Sequence, residues 1–287
     1  MVAPARLDVL TSPNRAFLRG FDYLSSAASV LQIENRYWAR KIGLLQLLAD
    51  VDNSGLCHHT VYLTRESVSD PGALEFMAAQ SGAANSGLSA DLADIDLELG
   101  ASETGRVLFL YDDQVIAVAP PFPIKENSLL EGADTTPLRD LLGSNFLIGV
   151  ILLRLGRYVV GAVRGDNIVA SKSGSRYVKR RHRAGGSSQR RFERSRERLV
   201  RELFDKTCQT AREIFDPFQG QIDFLLMGGA RHTLAAFVRT CTFLRRSSLV
   251  MLNRSLEVNR PGRQAMERIP DEVWKSRVVV LTRSAGG

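Results

Sequence analysis

One glutamine beside a small, flexible segment is the side chain of this sequence best suited to chemistry. Gln189 follows Gly185, Gly186, Ser187 and Ser188. Its amide does not titrate usefully, but it can hold a water molecule, and nearby backbone N–H groups can stabilise a developing oxyanion. Glycines let the backbone approach a crowded centre closely. Because an aminoacyl ester is already activated, a positioned water is enough to attack it. These residues therefore suit insertion into a reaction centre that another molecule supplies.

Strong positive charge surrounds this segment. Residues 172–201 contain twelve Lys or Arg and two Glu, a local charge of +10 in a chain whose net charge is +7. Charge concentrated in this way usually serves nucleic-acid binding, although a solvated helix face is the alternative. Arg198 and Arg201 lie far enough along to pair with Glu197 and Glu202 instead. The residues predicted to contact RNA phosphates are Lys172, Arg176, Lys179, Arg180, Arg181, Arg183, Arg190, Arg191 and Arg194.

The amino-terminal half predicts a small α+β region, residues 1–144. Helical spacing of apolar residues predicts a helix from Ala27 to Val51, and a short strand covers Cys57–Leu63. Residues 70–104 are compatible with one or two short helices. A hairpin is expected at 106–119, with strands Arg106–Tyr111 and Gln114–Ala119. Prolines then impose an extended connection, which leads to a short helix at Thr136–Leu142.

The carboxy-terminal half, residues 145–287, predicts a second domain. Three β-rich segments begin at Phe146 and are separated by the turns Gly156-Arg157 and Gly165-Asp166-Asn167, which predicts an antiparallel meander. A long one-sided helix follows Gln189. Further elements are expected as a strand at Phe224–Met227, a turn at Gly228-Gly229, a helix at Thr233–Phe243, and strands at Leu249–Leu252 and Val278–Thr282. The overall class is mixed α+β and α/β, and this order is that of a ribonuclease-H-like domain.

Several site classes are disfavoured by the residues present. A two-metal nuclease needs several converging carboxylates, and the three predicted strands and their turns offer only Asp166. His58 and His59 are neighbours in a predicted strand, so they point to opposite faces and favour a structural or surface role. Cys57, Cys208 and Cys241 are scattered without a CxxC pair, which argues against a disulfide framework and a thiolate zinc site. No apolar run of eighteen residues or signal-peptide pattern occurs, so we expect a cytosolic location. We also expect that the protein uses neither a cofactor nor a metal.

Residues 106–211 resemble the middle of archaeal and eukaryotic class-I peptide-chain release factors, and most specifically the bacterial members of the Vms-type branch. The approach motif of that branch is similar to Lys172-Ser-Gly-Ser-Arg-Tyr-Val178, and its core motif is similar to Gly185-Gly-Ser-Ser-Gln-Arg-Arg-Phe192. In the wider superfamily the catalytic glutamine directly follows the two glycines, at the position of Ser187. The Vms-type branch has the shifted glutamine, so the resemblance implies that Gln189 is catalytic, with Ser187 as the fallback, on a Gly-Gly-x-x-Gln loop at 184–189.

The resemblance implies peptidyl-tRNA hydrolysis on stalled ribosomal complexes, with the large ribosomal subunit and peptidyl-tRNA as partners and neither a membrane nor DNA. No convincing stop-codon-reading motif is found in the amino-terminal half, and the chain ends near Gly287 without a further domain for a GTPase partner. Codon-independent release is therefore expected. The alternatives are a non-catalytic tRNA- or ribosome-binding module of the same fold, which the displaced glutamine favours, and, more weakly, a nuclease acting on the tRNA end.

Overall fold

The computed structural model describes residues 30–68, 70, 102–178 and 187–284, which form two compact units. The first unit contains the described residues up to Trp38, Gly43–Pro137 and those from Arg277 onwards. The second unit contains Ala39–Ile42 and Leu138–Ser276. The sequence-based division into domains 1–144 and 145–287 remains a prediction, and the predicted helices within 70–104 lie almost wholly outside the described residues.

The first unit is built on a six-stranded sheet with the strand order β1-β11-β4-β3-β2-β5. Its strands and helices, in chain order, are β1 (Val30–Ala39), α1 (Lys41–Ser54), β2 (His59–Leu63), α2 (Arg65–Val68), β3 (Arg106–Leu110), β4 (Gln114–Ala119), β5 (Ser128–Glu131) and β11 (Ser276–Ser284). Strands β2, β3 and β4 pair antiparallel, so the predicted hairpin at 106–119 is present. Its core includes Val61, Leu108, Val115 and Val279.

One expectation for these elements is wrong, and another is confirmed with a pairing that the sequence did not indicate. Residues 30–39 form strand β1 rather than the start of the helix predicted from Ala27, and the helix α1 begins only at Lys41. Leu31, Tyr37 and Ala39 are buried or half-buried at odd positions, which is the two-residue period of a strand. The strand expected at Val278–Thr282 exists as β11, but it pairs antiparallel with β4 and not with the carboxy-terminal sheet.

The second unit is built on a five-stranded sheet with the order β10-β9-β6-β7-β8. Its remaining elements are α3 (Thr136–Gly143, which begins in the first unit), β6 (Leu147–Arg154), β7 (Arg157–Arg164), β8 (Asn167–Ser175), α4 (Ser187–Phe215), a 3₁₀ turn (Asp216–Phe218), β9 (Phe224–Gly229), α5 (Arg231–Thr240), α6 (Thr242–Arg246), β10 (Met251–Leu256), α7 (Arg263–Glu267) and α8 (Ile269–Val273). The predicted meander is confirmed, since β6, β7 and β8 pair antiparallel. Strand β9 runs parallel to β6, and β10 runs parallel to β9.

Helices cover both faces of this sheet, which explains why β6 is a continuous apolar run. On one face, Leu203, Phe204 and Phe237 from α4 and α5 pack against Ile151 and Val160 in the main core. On the other face, Met266 of α7 lies over Gly161. The helix expected at Thr233–Phe243 is divided at Cys241 into α5 and α6, and the turn expected at Gly228-Gly229 is the end of β9.

The scattered cysteines argued against a disulfide framework, but the structure contains one disulfide. Cys208 on α4 and Cys241 between α5 and α6 form a disulfide with Cα atoms 5.4 Å apart. The two residues are 33 positions apart in sequence, so their proximity arises only when α5 packs on α4. Cys57 is a buried free thiol in the first unit, and burial raises its pKa.

Candidate nucleic-acid interface

Helix α4 carries the glutamine on which the sequence analysis focused. The helix begins at Ser187, so Gln189 lies in its first turn and not on the loop that the sequence predicted. The Gln189 side chain is exposed to solvent. The predicted loop residues Ala184, Gly185 and Gly186, together with Lys179, Arg180, Arg181 and Arg183, lie outside the described residues, and only the backbone of Ser187 and Ser188 is described.

A carboxylate on the next turn of α4 holds the Gln189 side chain. The Gln189 Nε2 donates a hydrogen bond to Glu193 Oε1 at 3.1 Å. Residues four apart share one face of a helix, so this contact follows directly from the spacing. The amide group is thereby oriented by its nitrogen, and its carbonyl oxygen remains able to accept a hydrogen bond from water or from another donor. The four-residue spacing between Gln189 and Glu193 is visible in the sequence, so this contact could have been predicted from it.

An arginine stripe, defined as Arg190, Arg191, Arg194, Arg198 and Arg201, runs along the outer face of the same helix. All five side chains are exposed. At 3.6 residues per turn they fall within an arc of about 100°. Arg198 lies 3.8 Å from Glu202, which confirms the structural role that the sequence allowed for it. The stripe therefore presents several positive charges from one rigid element, next to Gln189.

The buried face of α4 lies opposite the arginine stripe. Leu203, Thr207, Ala211 and Phe215 are buried, and this half of the helix packs against the sheet. None of the described side chains from Gln189 to Arg201 is fully buried. The first part of the helix thus carries the charge and the glutamine, while the second part anchors it.

Two ion pairs join α4 to strand β8 and to the residue that follows it. Lys172 Nζ lies 2.7 Å from Glu213 Oε2. The Arg176 guanidinium donates from both Nε and Nη2 to Glu202 Oε2, at 3.0 and 2.5 Å. These hydrogen bonds lower the pKa of Glu213 and of Glu202, and the bond to Glu213 raises the pKa of Lys172. Lys172 and Arg176, which were predicted to bind phosphate, have carboxylate partners here.

A glycine in β8 lets a tyrosine close the contact between the strand and the helix. Gly174 pairs with Tyr158 across β7 and β8, and a Cβ atom added to Gly174 would lie 2.4 Å from the tyrosine ring. Tyr158 is buried, and its hydroxyl lies 3.2 Å from the hydroxyl of Thr210 on α4. The glycine of the approach motif is thus required by a buried aromatic ring, which sequence reasoning did not identify.

Other candidate sites gain little from the structure. Within the described ranges, no group of three His, Cys, Asp or Glu side chains is arranged to hold a metal ion. Asp166 lies in the turn before β8, 3.6 Å from Lys41. His58 Nε2 lies 3.0 Å from Asp112 at the surface, which agrees with the surface role expected for it. Among the described helices, none has the length and apolar character needed to cross a bilayer.

Comparisons with known proteins identify related sequences. Residues 147–279 match the family model described as the Actinobacteria/Chloroflexi VLRF1 release factor. Peptide chain release factor subunit 1 of Archaeoglobus fulgidus is 29% identical over 124 residues, which cover 43% of this chain and 30% of that protein. The corresponding protein of Thermococcus sibiricus is 30% identical over 151 residues, covering 47% and 36%. That of Aeropyrum pernix is 25% identical over 203 residues, covering 67% and 54%. The chain thus spans about a third to a half of the length of these relatives.

Solved structures give a weaker likeness. The archaeal translation termination factor aRF1 is 17% identical, with a TM-score of 0.34 over 82% of this chain and 73% of that chain. Pelota of Archaeoglobus fulgidus is 11% identical, with a TM-score of 0.23 over 84% and 67%. TM-scores this low carry no structural argument, so the relationship rests on the sequence matches.

Proposed function

We infer that this chain is a member of the release-factor superfamily, in its bacterial Vms-type branch, because residues 147–279 match the family model of a bacterial release factor. We propose that it is a codon-independent peptidyl-tRNA hydrolase that frees nascent chains from stalled ribosomal complexes. The observation that carries this proposal is the matched span, 147–279. It contains the whole five-stranded sheet and the helix α4, with Gln189 exposed at its start and the arginine stripe beside it.

The proposed reaction is attack of a water molecule on the ester that joins the nascent peptide to the tRNA. The water oxygen bonds to the ester carbonyl carbon, the bond from that carbon to the ribose oxygen breaks, and the ribose oxygen takes up a proton. In this proposal the carbonyl oxygen of Gln189 accepts a hydrogen bond from the attacking water. Glu193 fixes the amide orientation through the 3.1 Å bond. The chemistry needs no metal or cofactor, because the ester is an activated acyl group.

The flanking residues have a positioning role in the proposal. Gly185 and Gly186 would let the backbone approach the ester, and the backbone around Ser187 and Ser188 would lie next to it. Arg190, Arg191 and Arg194 would hold RNA phosphates of the tRNA or of the large ribosomal subunit, as would Lys179, Arg180, Arg181 and Arg183. Contacts of this kind fix position without reading sequence. Lys172 and Arg176 contribute to RNA binding only if they exchange their carboxylate partners for phosphates. Such a protein works in the cytoplasm.

We also propose that the second unit is a ribonuclease-H-like domain. Support comes from its strand order, in which three antiparallel strands are followed by a helix and then by two strands parallel to the first. The order of elements agrees with the one that the sequence predicts. The domain would act as a carboxylate-poor scaffold that positions α4, while the ester arrives with the ribosome.

The test is a release assay with ribosomes that carry labelled peptidyl-tRNA, comparing the full chain with Gln189→Ala, Ser187→Ala and Gln209→Ala. Gln209 is the matched control, because it is an exposed glutamine farther along the same helix. Loss of one group that stabilises an acyl-transfer transition state typically costs about 100-fold or more in rate. We expect that loss for Gln189→Ala and less than a two-fold change for Gln209→Ala. A fully active Gln189→Ala together with an inactive Ser187→Ala would transfer the role to Ser187.

Two further arms separate the alternatives. Complexes with a stop codon, a sense codon or no codon in the decoding site should release peptide at similar rates, and strict dependence on a stop codon would contradict codon independence. If the wild-type chain binds ribosomes but releases no peptide, it is a non-catalytic binding module, which is the alternative favoured by the displaced glutamine. The tRNA product should keep its terminal nucleotides, since their loss would indicate a nuclease.

A further inference from the structure

A groove at the far end of α4 from Gln189 has the features of a second ligand site. It has a volume of about 550 Å³ and lies between the end of α4, the 3₁₀ turn, α6 and the residues before β10. This volume is in the range of small-molecule sites. Arg212 lies twenty-three residues after Gln189, so the groove is about 35 Å along the helix from the proposed reaction site.

Aromatic rings form the apolar part of this groove. Phe215 is buried, and its ring centroid lies 6.4 Å from that of Phe243 with an interplanar angle of 33°. Phe243 and Phe218 line the groove, and both residues are only half-buried. Aromatic rings that remain accessible in a groove are suited to stacking with a flat ligand, and nucleotide bases stack on them without sequence preference.

The polar part of the groove carries positive charge on both walls. Arg212 comes from α4 and Arg246 from α6, and both side chains are exposed. Asp216 also lines the groove, so the two guanidinium groups stand against one carboxylate. Ser248, on the same side as Arg246, adds an exposed hydroxyl. Guanidinium groups bind phosphate through paired, charge-assisted hydrogen bonds. The groove therefore combines a stacking surface with a phosphate-binding rim.

The disulfide joins the two walls. Cys208 lies one turn before Arg212 on α4, and Cys241 directly precedes Thr242, the first residue of α6. A covalent link at this place fixes the spacing of the walls, so the groove exists before any ligand arrives. Binding to a preformed site avoids the entropy cost of ordering its walls.

We propose that this groove binds a single-stranded RNA nucleotide, with the base against Phe218 and Phe243 and the phosphate between Arg212 and Arg246. The site is a second RNA contact, separate from the arginine stripe, and it goes beyond the proposed hydrolysis. Its ligand is a nucleotide within an RNA strand and not a free nucleotide. The binding test needs neither ribosomes nor peptide release, so its outcome is independent of the proposed catalytic function.

The experiment measures the fluorescence anisotropy of a labelled adenosine tetranucleotide with the full chain and three variants. Arg246→Glu reverses a charge on the groove rim. Arg245→Glu reverses the charge of the adjacent residue, which is also exposed but does not line the groove. Both variants leave the arginine stripe unchanged, so the difference between them isolates the groove. Phe218→Leu keeps the apolar character and removes the ring. Circular dichroism melting curves confirm that each variant is folded.

We expect Arg246→Glu to weaken tetranucleotide binding at least ten-fold, Phe218→Leu about five-fold, and Arg245→Glu less than three-fold. Equal effects of Arg245→Glu and Arg246→Glu would overturn the proposal, because they would show only general charge attraction. Binding of AMP without binding of the tetranucleotide would overturn the assignment to an RNA strand. Competition by hexaglutamate as effective as that by unlabelled tetranucleotide would assign the groove to acidic peptides instead.

Discussion

Replacing Gly174 with alanine tests how strand β8 positions the helix α4. The new methyl group would lie 2.4 Å from both Cζ and the hydroxyl oxygen of Tyr158, a distance that carbon atoms do not tolerate. Tyr158 is buried, so its ring has no solvent into which to move. Its displacement would also break the contact with Thr210 on α4. The substitution therefore acts on the helix that carries Gln189, although Gly174 itself is on the strand.

The size of the effect follows from two contributions. Overpacking a filled core by one methyl group costs about 1 to 3 kcal/mol. Loss of the hydrogen bond between Tyr158 and Thr210 adds about 0.5 to 1.5 kcal/mol. We therefore expect Gly174→Ala to lower the free energy of unfolding of the second unit by about 1.5 to 4.5 kcal/mol.

Urea unfolding followed by tryptophan fluorescence measures this change. Trp274 is buried in the second unit, donates a hydrogen bond to the Gly165 carbonyl oxygen and stacks on Phe146, so its emission reports the loss of that structure. Gly143→Ala is the matched control, because a Cβ atom there meets nothing within 4 Å and the residue is helical. Its expected change lies within about 1 kcal/mol.

The same substitution in a Tyr158→Leu variant tests whether the clash with the tyrosine ring causes the loss of stability. In a Tyr158→Leu chain the ring is absent, so Gly174→Ala should cost less than about 1 kcal/mol there, and the two substitutions should be strongly non-additive. If Gly174→Ala costs the same with and without the ring, the steric reasoning is wrong. The strand would then require its glycine for another reason.

Three further predictions concern stability and binding. Reduction of the Cys208–Cys241 bond, or its removal by Cys208→Ser, should lower the unfolding free energy by about 3 to 4 kcal/mol in denaturant titrations, since the bond closes a loop of 33 residues. The hydrogen bond from Lys172 lowers the pKa of Glu213. The resulting stabilisation of the fold is present above the ordinary glutamate pKa of about 4.3, and it is lost as the pH falls through the lowered pKa. Glu213→Gln should therefore flatten the dependence of stability on pH below pH 5, and an unchanged slope would contradict this role. Arg194→Ala should weaken RNA binding and reduce the salt slope, log Kd against log salt concentration, by about 0.7 to 0.9 if Arg194 contacts one phosphate.

Much of the second unit could be predicted because its elements carry local signals. The turns at Gly156 and Gly165 separate three apolar segments, and both glycines have positive φ angles in the structure, 103° and 55°. The one-sided apolar spacing after Gln189 predicts the long helix, which is present as α4. Turn chemistry and periodicity depend only on neighbouring residues, so they can be identified in a single sequence.

Sequence-based predictions were incomplete where two periodic patterns adjoin, and where contacting residues are far apart in the sequence. Strand β1 and helix α1 are separated only by Arg40, so the two-residue period of the strand ran directly into the helical period that follows. Strand β11 lies between β1 and β4 in its sheet, and its partner β4 comes more than 150 residues earlier in the sequence. Neither local propensity nor turn chemistry indicates which sheet a terminal strand joins.

In the candidate site too, contacts between near neighbours in the sequence could be predicted, whereas contacts between distant residues could not. The bond between Gln189 and Glu193 follows from helical spacing and could have been predicted. The pairs Lys172–Glu213 and Arg176–Glu202 join residues 41 and 26 positions apart, so two side chains that are predicted to bind phosphate also contact carboxylates of the same chain. A count of positive charges cannot distinguish an arginine that faces solvent from one that fastens a strand to a helix.

The direction of α4 determines where Gln189 lies, because the first part of the helix extends beyond its buried part. From Leu203, the first fully buried side chain of α4, to Gln189 the helix extends for about 21 Å. A tilt of only about 3° would move the glutamine by about 1 Å, and a displacement of that size can cost 100-fold in rate. Glu202 and Glu213 lie eleven residues apart on α4, so their pairs with Arg176, which follows β8, and with Lys172 of β8 contact the helix at two separate points. The buried packing of Leu203, Ala211 and Phe215 sets the direction of α4, and the two ion pairs add to it from the surface.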